Sequence, residues 1–323
     1  MASVIRLYEH GGPDKLRWEE EPAIAPGPGE VLIRQTAVGV DYIDIYVRTG
    51  LYPRALPTSM GYEAAGVVAA LGRKVRGFRV GDRVGYYLNV PGAYAEQRVL
   101  AAEELVKLPA DISDEQAAAV LLKGLTAWFL VRETYKVRRG SVVLLPAAAG
   151  GVGLILSQWA RALGAKVIGV VGSEDKVAIA KRHGCSQVLA GYQDLAQRVR
   201  KCTRGKGVDV VYDGVGQATF LGALDCLKPR GLMVSFGNAS GAVAPCAPLE
   251  LMRRGSLFLT RPTSGDYLNT PAARRKGARE LFSMIRRRKI RVVIGQRFAL
   301  RDAARAHAEL EGRRTLGSTV LLP

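Results

Sequence analysis

The sequence predicts an α/β protein in two parts, a doubly wound parallel sheet and a β-barrel domain. The first observation is the apolar run Val142–Pro146, which is typical of a buried parallel strand and precedes a small-residue turn. The second is the alternation of strand and helix patterns that continues from there to Thr260. The third is a series of short strand patterns separated by glycine and proline turns before residue 122.

The turn after Val142–Pro146 has the spacing of a dinucleotide-binding loop. On the pattern GxGxxG its key positions are Ala148, Gly150 and Gly153, and a helix pattern follows at 152–163. A small second residue lets the backbone approach a pyrophosphate, and a small third residue lets helix and strand pack closely. The helix N-terminus offers free N–H groups to phosphates. The alternative is a tight turn in another α/β protein, but the flanking strands and helix favour a dinucleotide.

The N-terminal part has strand patterns at 30–37, 61–71, 80–87 and 92–99. Ser113 and Gln116 form a capping-box pattern that predicts a helix over 117–124, and a second helix is predicted at about 126–135.

Six strands are predicted for the parallel sheet, including segments at 208–212, 231–236 and 256–260, with a short helix at 222–227 ended by Pro229. Beyond it lie a basic helix at 272–289, a short helix Ala303–Glu311 and a strand Ser318–Leu322. We expect this last strand to return to the N-terminal barrel. The predicted domains are therefore residues 1–122 with 264–323, wrapped around 123–263.

Length and composition are those of a two-domain globular protein, with 323 residues and 48% hydrophobic content. The four cysteines form no CxxC pair, so reduced thiols and a cytoplasmic location are expected. The N-terminus lacks the apolar region of a signal peptide, and the longest apolar stretch, 142–156, is interrupted by Pro146 and by glycines. We therefore expect no membrane association.

The formal charge of +18 results from 47 basic against 29 acidic residues. Such a charge attracts anionic ligands, including NADP phosphates and RNA. The densest basic segment is 274–291, in which Arg286, Arg287, Arg288 and Lys289 are consecutive. A solvated surface helix is the favoured interpretation, and weak RNA binding through this basic surface is the alternative.

The end of the second strand of the nucleotide-binding part distinguishes the two nicotinamide cofactors. An NAD site usually carries an acid there for the ribose 2′-hydroxyl. Here Gly172 and Ser173 follow the strand, with Glu174 next and Lys176 close behind. The space at Gly172, the Ser173 hydroxyl and the Lys176 cation favour the 2′-phosphate of NADPH. The alternative is that Lys176 is simply exposed and Glu174 turns to the ribose of NADH.

No motif indicates a metal or a nucleophilic residue. His10, His183 and His307 stand apart from the cysteines and from any zinc-ligand spacing, so each is expected at the surface or at a helix cap. GxSxG is absent. The remaining possibility is a metal-free reaction in which a cofactor supplies the chemistry.

Eight segments together form a specific pattern: GVDYIDIYVRTGLYP (39–53), GYEAAGVV (61–68), GDRV (81–84), KGLTAWFL (123–130), AAAGGVGLI (147–155), VVYDGVG (210–216), RGLMVSFGNASGAV (230–243) and LTRPT (259–263). In these segments the chain resembles the zeta-crystallin-like quinone oxidoreductases of the medium-chain dehydrogenase/reductase superfamily. The match covers essentially the whole chain. It implies a GroES-like barrel plus a Rossmann domain, with quinones reduced by NADPH in the cleft between them and without zinc.

The resemblance also implies site residues. Tyr42 and Tyr46 would line the nicotinamide and quinone pocket, with Lys123 and Thr126 at its border. The other implied cofactor contacts are Gly150, Gly151 and Val152 at the pyrophosphate, Gly172, Ser173, Lys176 and Tyr192 (or Gly191) at the 2′-phosphate end, Phe236, Gly237 and Asn238 at the nicotinamide ribose, Pro262 to Ser264 at the nicotinamide, and Arg313 near the C-terminus. Arg313 is otherwise an exposed arginine beside Arg314.

Two positions depart from related patterns. Zinc-dependent relatives have Cys near position 41 and His in a GHE triplet, where this chain has Asp41 and Tyr62. Asn is common at position 41 among the quinone reductases, so Asp41 is expected to alter the contact with the nicotinamide amide or the substrate preference. Tyr46, Tyr52 and Tyr62 are the alternatives for a proton donor, beside water.

The expected reaction is hydride transfer from C4 of NADPH to a quinone. Two alternatives stay open: a zinc-free enone or alkenal reductase, and an RNA-binding protein that retains the cofactor fold. A homodimer is expected, formed by pairing of the strand at 256–260 with its twin.

Overall fold

Buried apolar runs form the strands, and amphipathic segments between them form the helices. In the computed structural model, which describes residues 1–323, the elements in chain order are β1 (Ala2–Leu7), β2 (Leu16–Glu21), β3 (Glu30–Val40), α1 (Tyr42–Arg48), β4 (Thr58–Ser59), β5 (Glu63–Leu71), β6 (Arg83–Tyr87), β7 (Gln97–Ala101), β8 (Val106–Lys107), α2 (Asp114–Phe129), β9 (Val142–Pro146), α3 (Gly151–Ala162), β10 (Lys166–Val171), α4 (Val177–Arg182), β11 (Gln187–Ala190), α5 (Leu195–Cys202), β12 (Val208–Asp213), α6 (Phe220–Leu224), β13 (Leu227–Ser235), α7 (Pro248–Arg253), β14 (Phe258–Thr260), α8 (Ser264–Tyr267), α9 (Pro271–Arg286), β15 (Ile294–Ala299), α10 (Ala303–Glu311) and β16 (Ser318–Leu322).

The chain divides into two compact units. The first comprises Met1–Leu125, Leu268–Arg286 and Val292–Pro323, and the second comprises Thr126–Tyr267 and Arg287–Arg291. None of the helices is long and apolar enough to cross a bilayer.

The first unit is built on two sheets. One has the order β2-β1-β4, and the other has the order β15-β16-β3-β5-β6-β8, with β7 also paired to β3. The final strand β16 runs antiparallel to β3, with Val320 opposite Gly39. The end of the chain thus completes a sheet that began near the N-terminus, as the sequence predicted.

The second unit is a six-stranded sheet in the order β11-β10-β9-β12-β13-β14, and every neighbouring pair is parallel. This is the doubly wound Rossmann order, in which the chain reverses direction across the sheet between β9 and β12. The number of strands was predicted, but β11 was not located. Because all six strands are parallel, the loops that follow them emerge at one edge of the sheet.

Two helix predictions were wrong, because a glycine and a proline that were expected to end helices lie inside regular elements. The helices expected at 117–124 and 126–135 are one helix, α2, continued by a π-helical turn at Leu130–Thr134. Gly124 lies inside α2, where a Cβ would come within 2.5 Å of Leu281 on α9, so this glycine permits close packing and does not end the helix. Pro229, expected to stop a helix at 227, lies within β13.

The basic segment differs from the prediction in a similar way. Helix α9 ends at Arg286 rather than at 289, and Arg288 has a φ of 55°. Several of its cations are engaged within the first unit: Arg274 pairs with Glu104, Arg275 donates to the Glu103 carbonyl, and Arg286 pairs with Asp111. These contacts favour a structural role for these three arginines.

Candidate active site

The first loop at the edge of the parallel sheet joins β9 to α3. Gly150 is the residue before α3, so Gly151 and Val152 form the first turn, whose N–H groups have no partner within the helix. A Cβ on Gly153 would lie 2.3 Å from the Ala147 carbonyl oxygen, so the close approach of helix to strand requires glycine here. This geometry suits a pyrophosphate at the N-terminus of a 12-residue helix.

The loop after β10 is open to solvent. Gly172 and Ser173 are both exposed, and nothing lies within 4 Å of the place where a Cβ on Gly172 would sit. Lys176 follows within a short 3₁₀ turn. Tyr192 comes two residues after β11 and packs partly against the hydrophobic core of the sheet. The end of β10 therefore combines open space at Gly172 with the cationic side chain of Lys176.

The loops after β12 and β13 are in contact with each other. Buried Asp213 accepts hydrogen bonds from the Val215 N–H at 2.8 Å and the Thr219 hydroxyl at 2.9 Å, which fixes the first of these loops. A Cβ on Gly237 would lie 2.4 Å from the Gly214 carbonyl oxygen. Phe236 also lies against Gly214, so both loops have little freedom to move apart.

The loop after β14 is tied to β13. Arg261 donates to the Ser235 carbonyl oxygen at 2.7 Å, and with its amide oriented to satisfy both neighbours Asn238 accepts from Arg261 at 3.1 Å. Pro262 follows directly and Ser264 begins α8. Thr126, on α2, also belongs to this second unit.

The remaining predicted site residues lie in the first unit. The rings of Tyr42 and Tyr46 on α1 are 6.0 Å apart, and those of Tyr46 and Tyr52 are 5.1 Å apart, so the three tyrosines form one aromatic row. The Tyr42 hydroxyl donates to the Leu310 carbonyl at 3.1 Å. The backbone N–H of Arg313 donates to the same carbonyl, also at 3.1 Å, so these two predicted residues are close together.

Asp41 precedes α1 and belongs to a buried ionic cluster. The Lys123 ammonium lies 2.8 Å from a carboxylate oxygen of Asp41 and 2.8 Å from one of Glu63. Glu63 also accepts the Leu122 N–H at 2.5 Å. Burial opposes the charge on Lys123, but the two carboxylates outweigh this effect and raise its pKa. Lys123 is therefore a permanently charged ammonium.

A chain of hydrogen bonds links this cluster to α10. Asp44 accepts from the Asp41 N–H at 2.8 Å and from the Tyr94 hydroxyl at 3.0 Å. The Tyr94 hydroxyl is 2.9 Å from Nε2 of His307, whose Nδ1 accepts from Arg48 Nε at 3.2 Å. All of these side chains are buried.

The prediction that every histidine lies at the surface or at a cap was wrong for His307. Helix α10 directs it inward between Arg48 and Tyr94, and its exposed fraction is 0%. Burial and the Arg48 charge lower the pKa of His307 to about 3, so it is neutral at physiological pH. His10 is exposed and His183 caps α4, as expected.

Three acidic residues of these networks were not singled out from the sequence. Glu63 is the first residue of the apolar strand β5, and Asp44 stands three residues after Asp41 at a helix start, a spacing that resembles a capping box. Asp213 ends a buried strand. A charged residue at the end of an apolar run was the available signal for Glu63 and Asp213.

Two family models match the chain, the alcohol dehydrogenase GroES-like domain over residues 27–110 and the zinc-binding dehydrogenase family over residues 151–267. A quinone oxidoreductase of Pseudomonas aeruginosa is 51% identical over 100% of both chains. The crystal structure of Escherichia coli quinone oxidoreductase complexed with NADPH superposes with a TM-score of 0.96 at 45% identity, covering 99% of this chain and 100% of that one. A 2-haloacrylate reductase of a Burkholderia species is 44% identical over 100% of this chain and 99% of its own.

The GroES-like first unit and the Rossmann second unit define a medium-chain dehydrogenase/reductase. Within that superfamily, the full-length identities show that the chain belongs to the quinone oxidoreductase family. Although one matching family is described as zinc-binding, no three His, Cys, Asp or Glu side chains are grouped so that they would hold a metal ion. Asp41 instead contacts an ammonium group.

Proposed function

We propose that this protein reduces quinones with NADPH by hydride transfer, without a metal ion. The observation that carries the proposal is the set of glycine-lined loops at one edge of the parallel sheet, in a chain 45% identical to a quinone oxidoreductase solved with NADPH. When bound, NADPH supplies a hydride from C4 to the quinone. The quinone gains that hydride and one proton to become the hydroquinone, and NADP⁺ is left.

In this proposal the loops of the second unit bind the cofactor. The residues assigned to it are Gly150, Gly151, Val152, Gly172, Ser173, Lys176, Tyr192, Phe236, Gly237, Asn238, Thr126, Pro262 and Ser264, with Tyr42, Tyr46, Lys123 and Arg313 from the first unit. Exposed Ser173 and nearby Lys176 favour a 2′-phosphate. The residues assigned to catalysis are Asp41, Tyr46 and Tyr52, and Tyr46 and Tyr52 offer aromatic faces to a planar quinone.

The metal-free part of the proposal rests on the Lys123 contacts. An ammonium held 2.8 Å from two carboxylates occupies the place of a cation among them. Rate acceleration would then come mainly from holding donor and acceptor in contact.

The direct test is to follow nicotinamide absorbance with NADPH and either 1,4-benzoquinone or 9,10-phenanthrenequinone. We expect oxidation of NADPH that is faster than with NADH at equal concentration. Absence of oxidation with every quinone tried, by folded protein that binds NADPH, would refute the quinone assignment. Elemental analysis that found stoichiometric zinc would refute the metal-free part.

A second candidate reaction is reduction of an activated carbon–carbon double bond. The observation that favours it is the 44% identity to a 2-haloacrylate reductase. The same hydride donor would attack the β-carbon of a conjugated carboxylate or carbonyl. Parallel assays with 2-chloroacrylate, an enone and the quinones would rank the three classes by kcat/KM.

We also propose that the protein is a homodimer in the cytoplasm. Strand β14 is the last strand of the parallel sheet, and Phe258 and Leu259 on it are 56% and 39% exposed. An apolar edge strand of this kind is a template for pairing with a second copy. The four cysteines are all free thiols, which suits a reducing compartment.

A further inference from the structure

Three buried carboxyl groups and one buried ammonium form a cluster in the first unit. Asp41 and Glu63 each lie 2.8 Å from Lys123 Nζ, and the Asp44 side chain accepts the Asp41 N–H. If all three carboxyls were ionised, the cluster would carry three negative charges against one positive charge. Burying such an excess costs far more than binding protons.

The cluster therefore retains protons at neutral pH. Burial, with the Asp41 charge added, raises the pKa of Asp44 to about 8. Burial also raises the pKa of Glu63 well above its usual value, although Lys123 opposes the effect. Asp41 Oδ2 and Asp44 Oδ1 accept no hydrogen bond although both are buried, so each has room for a proton.

Tyr94 and His307, the next groups in the hydrogen-bond chain beyond Asp44, do not accept its proton. Arg48 donates to Nδ1 of His307, so the neutral ring carries its proton on Nε2 and donates it to Tyr94. Tyr94 in turn donates to Asp44. Because His307 has a pKa of about 3 and burial raises that of Tyr94 well above its usual value, neither group takes the proton from Asp44.

Asp41 is the carboxyl through which a proton can leave. Its side chain is 9% exposed, whereas Asp44 and Glu63 are both 0% exposed. Asp41 and Glu63 each place one carboxyl oxygen 2.8 Å from Lys123 Nζ, so the two carboxyls lie side by side on one ammonium. Asp41 is also followed directly by Tyr42, the first ring of the aromatic row.

We propose that the carboxyl cluster of Asp41, Asp44 and Glu63 supplies the proton that completes quinone reduction, and that Asp41 passes it to the substrate oxygen. This inference rests on the proposed function. Hydride transfer leaves a hydroquinone monoanion. Its oxygen takes the proton from the Asp41 carboxyl, one O–H bond breaks as another forms, and the cluster later regains a proton from water.

The first test is Asp41→Asn, which keeps the shape and one oxygen but cannot donate a carboxyl proton. For quinones with weakly acidic hydroquinones we expect kcat to fall by roughly 10²-fold, the usual scale of general acid catalysis. Electron-poor quinones, whose reduced anions need no acid, should lose much less. Wild-type kcat should decline as pH rises through about 8, the pKa of Asp44, and the variant should lack this limb.

The matched control is Asp111→Asn, an exposed carboxyl in the same unit that pairs with Arg286. It should leave kcat and its pH dependence unchanged. Potentiometric titration of the resting proteins gives a readout independent of turnover, since Asp41→Asn should release about one proton fewer near neutral pH as the remaining carboxylate pairs with Lys123. An Asp41→Asn enzyme with unaltered titration, pH profile and quinone dependence would overturn the proposal.

A measurement on the wild-type protein tests the proposal even if the Asp41→Asn variant fails to fold. In a single turnover with a pH indicator and little buffer, proton uptake from solvent should lag behind NADPH oxidation because the protein supplies the first proton. Simultaneous uptake would overturn the inference and leave the proposed function intact. No NADPH oxidation by the wild-type protein would refute the proposed function itself.

Discussion

Gly153 is the residue of the nucleotide loop at which the surrounding backbone leaves no space for a side chain. In Gly153→Ala the new Cβ would lie 2.3 Å from the Ala147 carbonyl oxygen and 2.9 Å from Ala148 backbone atoms. Because backbone must move, we expect a loss of roughly 1–3 kcal/mol in the free energy of unfolding, and weaker NADPH binding as α3 shifts. Urea denaturation and fluorescence titration with NADPH measure the two effects.

Gly222→Ala is the control for this change. Gly222 lies inside α6, and nothing stands within 4 Å of its Cβ position, so alanine should be neutral or stabilise by up to about 1 kcal/mol. Equal stability of the two variants would mean that the close packing at Gly153 does not matter.

His307 makes folding sensitive to acid. Its pKa is about 3 in the folded protein, against an ordinary value of about 6.5 in the unfolded chain, so below pH 6.5 the unfolded state binds the extra proton. The stability contributed by neutral His307 is therefore present above about pH 6.5 and is lost as pH falls toward 3. His307→Gln should remove this part of the pH dependence of unfolding.

Asp44 and Glu63 act with the opposite sign, since their raised pKa values favour folding at low pH. The quantity to compare is thus the difference between wild type and His307→Gln, from urea denaturation at several pH values between about 4.5 and 7.5. His10→Gln, at an exposed position, should show no such difference. A constant difference across the range would contradict the assignment of a buried neutral histidine.

At the level of elements, the exposed strand β14 leads to a prediction about assembly. In a dimer paired through β14, Phe258→Asp would place two carboxylates near the two-fold axis and remove two apolar side chains. We expect the variant to sediment as a monomer at micromolar concentration, while Val80→Asp, at a 62% exposed position of the first unit, stays dimeric. A wild-type protein that is already monomeric would remove the dimer proposal.

The sequence predicted most accurately the elements that have turn residues at both ends. Strands β9 and β16 and helix α10 have the predicted bounds, because apolar runs or periodic apolar positions end there at turn residues. Helix α2 was divided at Gly124, since the sequence does not reveal that this glycine faces Leu281. Strand β11 was missed because it has only four residues, none of them fully buried.

The same limit applies to the site. The loop Gly150 to Val152 follows a recognisable spacing, because binding a phosphate chain imposes it locally. The ionic cluster joins residues 60 and 82 positions apart in the chain, Glu63 and Asp41 with Lys123, and no local pattern connects them. The direction of His307 likewise depends on packing against α1.

For the whole molecule, the charge of +18 predicts how the rate depends on salt. A strongly positive protein attracts NADPH, whose additional phosphate makes it more anionic than NADH. Raising the ionic strength from about 0.01 to 0.15 M shortens the screening length from roughly 30 to 8 Å, so kcat/KM for NADPH should fall by more than kcat/KM for NADH. Steady-state assays with both cofactors at several concentrations of sodium chloride measure this difference.

Lys176→Gln separates the local from the global part of this effect. If the 2′-phosphate binds beside Lys176, the variant should bring the salt dependence for NADPH close to that for NADH and leave the latter unchanged. Lys181→Gln, on the exposed part of α4, is the matched control and should alter neither. A salt dependence equal for both cofactors in the wild-type protein would mean that the positive charge acts on the pyrophosphate alone, and that the preference for NADPH has another origin.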